Sequence, residues 1–262
     1  MQLTSRTPPS NMSLEFVEAE LRDAFEHYRS RVIQLNRNNL AKLFEIVEVS
    51  PDSTEPEDLE LVAVEEWDSL PDSINTLGDF YSLLSDGTEP PLPGDRRLQL
   101  LAEIEECLQD RVPSEWRPLS LPEDFKQLCV LTDGLTGPGL PKTNAMYIPH
   151  AFNGLSSPLA SLKGNYLSAE EMKAEPFLDL LDYEVAVAIG MGDVAGGTGG
   201  GSWLCWCKDD FTETWKWRWA VRLGHDQPPR VYEDVVSLLE KYWKDFLTNI
   251  IASYDDIGQN DL

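Results

Sequence analysis

The sequence predicts an α+β fold: a mixed, largely antiparallel sheet flanked by helices, with a helical extension at the N-terminus. Three observations lead there. Apolar residues recur at helical spacing in the first 44 residues and again from about Val231 to Ile251. Three β-rich runs, EVAVAIG at 184–190, SWLCWC at 202–207 and TWKWRWAVRL at 214–223, lie close together in the last third. Lys208, Asp209, Asp210 and Phe211 supply only a short turn between the last two runs, which makes those strands antiparallel neighbours.

In chain order, Ser13 reads as a helix N-cap, followed by Leu14, Val17, Leu21, Ala24, Phe25 and Tyr28 on one face. The pattern runs on through Val32, Ile33, Leu35 and Leu40 to Phe44, as one long helix or a helical hairpin. Between Lys42 and Arg96 there is no basic residue and there are fifteen acidic ones. This stretch opens as an acidic loop, SPDSTEPEDLE, and closes as a Pro/Gly hinge, SDGTEPPLPGD. Its middle, from Leu61 to Leu84, is too apolar for a solvated tail and predicts one or two short packed helices.

A second region starts at Arg96. Leu98, Leu101, Ile104, Cys107 and Leu108 mark a helix closed by Pro113. EDFKQLCVLTDG then predicts a shorter helix, with Pro122 at its first position and Gly134 ending the segment. Residues 135–161 read as an irregular loop over the sheet. Val235, Leu238, Leu239, Tyr242, Phe246 and Ile250 give the closing helix one apolar face. The expected division is an acidic helical extension at 1–95, an α+β domain at 96–252 and a tail at 253–262.

With 46 acidic and 21 basic residues, the formal net charge is −25. Such a surface repels phosphate backbones, so direct nucleic-acid binding is not expected. It favours basic protein partners, and it also serves plain solubility. The four cysteines, Cys107, Cys129, Cys205 and Cys207, form no C-x-x-C pair, so neither a zinc framework nor a disulfide framework is expected. Reduced thiols, no apolar run long enough to span a bilayer and an N-terminus unlike a signal peptide predict a cytoplasmic or nuclear protein.

Candidate chemistry is sparse. GMGDVAGGTGGG at 190–201 follows an apolar run and begins as G-x-G-x-x-A, but a strand follows where a dinucleotide fold needs a helix N-terminus. A strand connection is the better reading. His27, His150 and His225 lack the nucleophile context of a catalytic triad, and carboxylate pairs abound by chance in so acidic a chain. Catalytic, cofactor-binding and metal-binding residues are therefore all expected to be absent.

The tryptophans stand apart, because five of the eight fall between Trp203 and Trp219. Period two puts Trp215, Trp217 and Trp219 on one strand face and Lys216 and Arg218 on the other. Three large rings in a row suit a core face. They also suit a partly exposed partner-binding patch, in which Trp203, Trp206, Trp215, Trp217, Trp219, Asp209 and Asp210 are the candidate residues.

The order of these motifs resembles the SUKH superfamily over roughly residues 96–251. The resemblance is carried by Leu121, Pro122, Phe125, Lys126, Leu128 and Gly134, by Gly199, Gly200 and Gly201 before the Trp203 strand, and by Val235, Leu238 and Leu239. That superfamily groups bacterial immunity proteins against toxin nucleases with fungal regulators of cell-wall assembly. The resemblance implies helices flanking a mixed sheet, no catalytic centre and a sheet or loop surface that receives a protein. The added N-terminal helical region looks more like the fungal members, which implies a regulatory scaffold. The alternative is an acidic immunity or antitoxin-like inhibitor of a basic protein such as a nuclease.

Overall fold

A long amphipathic helix opens the structure, a computed structural model that describes residues 12–46, 48–54, 75–137, 150–163, 183–192, 201–209, 213–222, 229–242 and 244. Helix α1, Met12–Ile46, is one unbroken helix, so Ser13 lies inside its first turn and not at a cap. Its apolar spacing serves two cores in succession. Leu21, Ala24, Phe25, Tyr28 and Val32 enter the main core, whereas Leu40 and Phe44 pack with Leu77, Phe80 and Leu84 in a smaller one. The latter three come from the acidic stretch, where a 3-10 helix spans Leu77–Ser82. Asp79 holds it by accepting the backbone N–H groups of Asn75 at 2.9 Å and Thr76 at 2.8 Å. Residues 55–74, where further short helices are expected, lie outside the described residues.

The remaining elements are β1 (Thr88–Glu89), α2 (Gly94–Arg111), α3 (Glu123–Leu131), β2 (Gly134–Thr136), β3 (His150–Phe152), α4 (Ser156–Lys163), β4 (Tyr183–Gly192), β5 (Gly201–Asp209), β6 (Trp215–Arg222), β7 (Arg230–Tyr232) and a last helix, α5, at 235–242. They form a three-stranded sheet, β1-β2-β3, and a four-stranded sheet, β4-β5-β6-β7. Every described strand pair is antiparallel, and the class is α+β. The sheets meet where Asn153 N–H donates to the Met191 carbonyl at 2.8 Å. Gly192 there lies so close to the His150 carbonyl that a Cβ would collide with it.

Several elements differ from the sequence reading. Gly134 does not terminate α3; Thr132 turns extended after Leu131, and Gly134 begins β2. The segment 135–161 is not wholly irregular, since it contributes β3 and α4 as well as the end of β2. Thr88 and Glu89, within the expected hinge, pair as β1 with Leu135 and Gly134. Such short strands carry too few residues for a period to register. Residues 230–232, partly within the expected closing helix, pair with β6 instead.

Polar groups fasten α1 to this assembly. Arg29 and Asp86 form an ion pair at 2.7 Å, and Asp86 also accepts the Thr88 hydroxyl at 2.7 Å. Burial alone would raise the Asp86 carboxyl, but the Thr88 and Arg29 bonds outweigh it and hold the group below its ordinary value. The Tyr28 hydroxyl donates to the Thr136 carbonyl, and Asn36 donates to the Ser85 carbonyl at 2.9 Å. Gly87 must stay small and left-handed, at φ 82°, because Val32 and the Thr136 carbonyl press on it.

Asp124 ties α3 to the last helix: its carboxylate accepts Phe125 N–H at 2.8 Å and Val235 N–H at 2.9 Å. It thus satisfies orphan donors at two helix starts. Burial pushes its carboxyl up despite those bonds. Asp124→Ala is expected to cost about 1–2 kcal/mol, and Asp124→Asn distinctly less, because an amide oxygen still accepts. Urea denaturation of both variants checks this, and equal losses would contradict the bridging role.

Candidate functional site

Strand register distributes the tryptophans. In the β5–β6 ladder Leu204 faces Trp219, Trp206 faces Trp217 and Lys208 faces Trp215, so these six share the face turned to the main core. Trp219 is 1% exposed, with its ring centroid 5.9 Å from Phe125, which in turn meets Phe152 at 5.6 Å. Two residues outward, Trp217 is half-buried against Trp206 at 5.7 Å. Two more reach Trp215, half-buried at the end of the strand.

A fourth ring completes this edge. Trp116, from the 3-10 turn Ser114–Trp116, lies 4.6 Å from Trp215 and 5.9 Å from Trp206. Lys208 Nζ stands 5.8 Å over the Trp215 ring. The loop that carries Trp116 is clamped. Gln109 donates to the Leu119 carbonyl at 2.7 Å and accepts Leu119 N–H at 3.1 Å, while Arg117 Nε donates to the Val112 carbonyl at 2.9 Å. Trp217 Nε1 donates to the Ser120 carbonyl at 2.9 Å. Four half-buried rings are thus held in place before anything binds, which lowers the ordering cost of association.

The opposite face of the same strands carries different chemistry. Arg218, with its side chain 1% exposed, donates to the Cys207 carbonyl at 2.9 Å and to Glu233 at 3.2 Å, and its guanidinium lies 5.1 Å from the Tyr183 ring centroid. Glu233 also pairs with Lys216. Burial would raise the Glu233 carboxyl, but Lys216 and Arg218 together hold it below the usual glutamate range. Burial, reinforced by Cys207, pushes the Cys205 thiol far up, away from a reactive thiolate. Among the described residues, no three His, Cys, Asp or Glu side chains gather as a metal-binding group.

A separate cleft of about 510 Å³ opens between α1 and α5, lined by Ala19, Glu20, Asp23, Ala24, His27, Val236 and Glu240. Three carboxylates stand around a floor of small apolar residues. His27 Nε2 accepts a hydrogen bond from Arg31 Nε at 3.1 Å.

Of the candidate residues from the sequence, Trp206, Trp215 and Trp217 come together, Trp219 belongs to the core, and Trp203 projects to the opposite face beside Ala220 and Cys205. Asp209 ends β5, and Asp210 lies outside the described residues. The glycine run is outside them at 193–200, but β4 and β5 on either side pair with each other, so it connects antiparallel neighbours. Trp116 was not among the candidates. Its only signal was a tryptophan set in the turn-like segment PSEWRP.

Compared with known proteins, the chain matches no protein-family model, no curated protein and no solved structure.

The gradient along β6 has a thermodynamic signature. Trp219→Ala is expected to cost about 3–5 kcal/mol, against about 1 kcal/mol or less for Trp215→Ala. Denaturation midpoints separate the two, and similar losses would mean that Trp215 is a core residue. For Glu233, a carboxyl depressed in the folded state adds stability above its unfolded value and loses it as pH falls through the folded value. Glu233→Gln is therefore expected to destabilise at neutral pH, with the difference from wild type closing below about pH 4, under the ordinary glutamate range. A constant difference from pH 7 to pH 3 would contradict this.

Proposed function

We propose that the chain is a non-enzymatic regulatory or scaffold protein of the SUKH type, which receives a protein partner on the tryptophan edge of its four-stranded sheet. The observation that carries this reading is the group Trp116, Trp206, Trp215 and Trp217: mutually packed, half-buried and fixed by a clamped loop. Tryptophan is prominent among the residues that dominate binding energy, above all when rigid and partly desolvated. Lys208 at the margin, ion-paired with Glu184 at 2.8 Å, lies over the Trp215 ring. The antiparallel sheet, the LPEDF segment leading into α3 and the helix after β7 fit the motif order behind the resemblance.

No helix among the described residues is long and apolar enough to cross a membrane. Four free cysteines, three of them buried, suit a reducing compartment, cytoplasmic or nuclear.

A second reading, an inhibitor of a basic protein such as a nuclease toxin, is favoured by the carboxylate-lined cleft of Glu20, Asp23 and Glu240 on a chain of net charge −25. The two readings differ in salt response, because charge-dominated association weakens as screening grows. Tagged wild type, Trp215→Ala and Glu20→Gln/Asp23→Gln proteins are to be used for capture from the source cell extract at low and high salt. The scaffold reading expects a partner that resists high salt and is lost with Trp215→Ala. A basic partner released by salt and lost with the carboxylate variant would support inhibition instead and overturn the tryptophan edge as the docking site.

A further inference from the structure

The link from β1 to α2 reads Glu89-Pro90-Pro91-Leu92-Pro93-Gly94, and its apolar residues divide by direction. Leu92 packs against the main core, and its carbonyl accepts Arg97 Nη1 at 3.2 Å. The Pro93 carbonyl accepts Arg97 N–H at 2.9 Å. Pro90, Pro91 and Pro93 are all exposed.

The backbone matches this division. Pro93, the residue before α2, has φ −51° and ψ 141°, close to polyproline II. Each proline fixes its own φ, and Pro90 and Leu92, each preceding a proline, are driven to extended conformations. Polyproline II has three residues per turn and no internal hydrogen bonds, which leaves Pro90 and Pro93 on one edge, while Arg97 engages the Leu92 and Pro93 carbonyls. Glu89, Leu92 and Arg97 anchor the turn, Glu89 through the Thr132 hydroxyl and Asp133 N–H, whereas Pro90 and Pro91 are turned to solvent. Leu98, on the helix that follows, is 63% exposed and is the more exposed of the two exposed large hydrophobics among the described residues.

We propose that Pro90–Pro93 is a preformed polyproline II ligand, read by a partner domain of the WW type through a slot between two aromatic rings. Rigid polyproline segments dock aromatic-lined grooves with little ordering cost. Length selects the slot: four residues at about 3.1 Å each span about 12 Å, enough for one two-ring clamp and short of a groove with several successive pockets. This surface is separate from the tryptophan edge, and the proposal does not depend on that reading.

The test titrates the full chain against a set of purified WW domains, with SH3 domains as the longer-groove comparison. Saturable micromolar binding to at least one WW domain is expected, weakened at least about tenfold by Pro90→Ala/Pro91→Ala and unchanged by Trp215→Ala. Circular dichroism of the double variant establishes that it is folded. Displacement of the bound chain by a free EPPLPG peptide gives the same answer without any variant. Absence of WW binding, binding only to SH3 domains, or binding that survives both the double variant and the peptide would overturn the proposal.

Discussion

The packing of Trp219 on Phe125 is the contact on which the rest of the structure depends. It joins β6 to α3, and through Phe152 it reaches β3, so both sheets and the helical layer converge on it. With Trp219 placed inside and the strand period equal to two, Trp217 and Trp215 have no choice of face. They follow outward along the same side, from the core to solvent. The half-exposed edge is thus a geometric consequence of the buried ring, and a fold that gave up one would lose the other.

Charge acts on a different scale. Among the described residues no Asp or Glu is buried, but a few are structural. Asp124 joins two helix starts, Asp86 pins α1 to β1, and Glu233 neutralises the buried guanidinium of Arg218. These groups pair with particular donors, whereas Glu20, Asp23 and Glu240 frame an open cleft. A basic partner would feel the overall field first and local chemistry second.

Long periodic elements were legible in the sequence. The helix of α1, the three strands from 183 to 222 and the shared face of Trp215, Trp217 and Trp219 all follow from repeat spacing. Short elements were not. β1, β2, β3 and β7 have two or three residues each, and their pairing depends on partners remote in sequence. Period two also sets Trp203 and Trp206, three apart, on opposite faces, so the five tryptophans do not form one patch. Trp116 was invisible for another reason: it reaches the site through loop closure by Gln109 and Arg117, which leaves no periodic trace.

The most direct test of the central claim is hydroxyl-radical footprinting of tryptophan oxidation in the free chain and in the complex recovered from its source extract. Trp203, half-buried on the opposite face, serves as the internal control. Protection of Trp215, Trp217 and Trp116 with Trp203 unchanged is the predicted result. Protection of Trp203 in their place, or none at Trp215, would contradict the account.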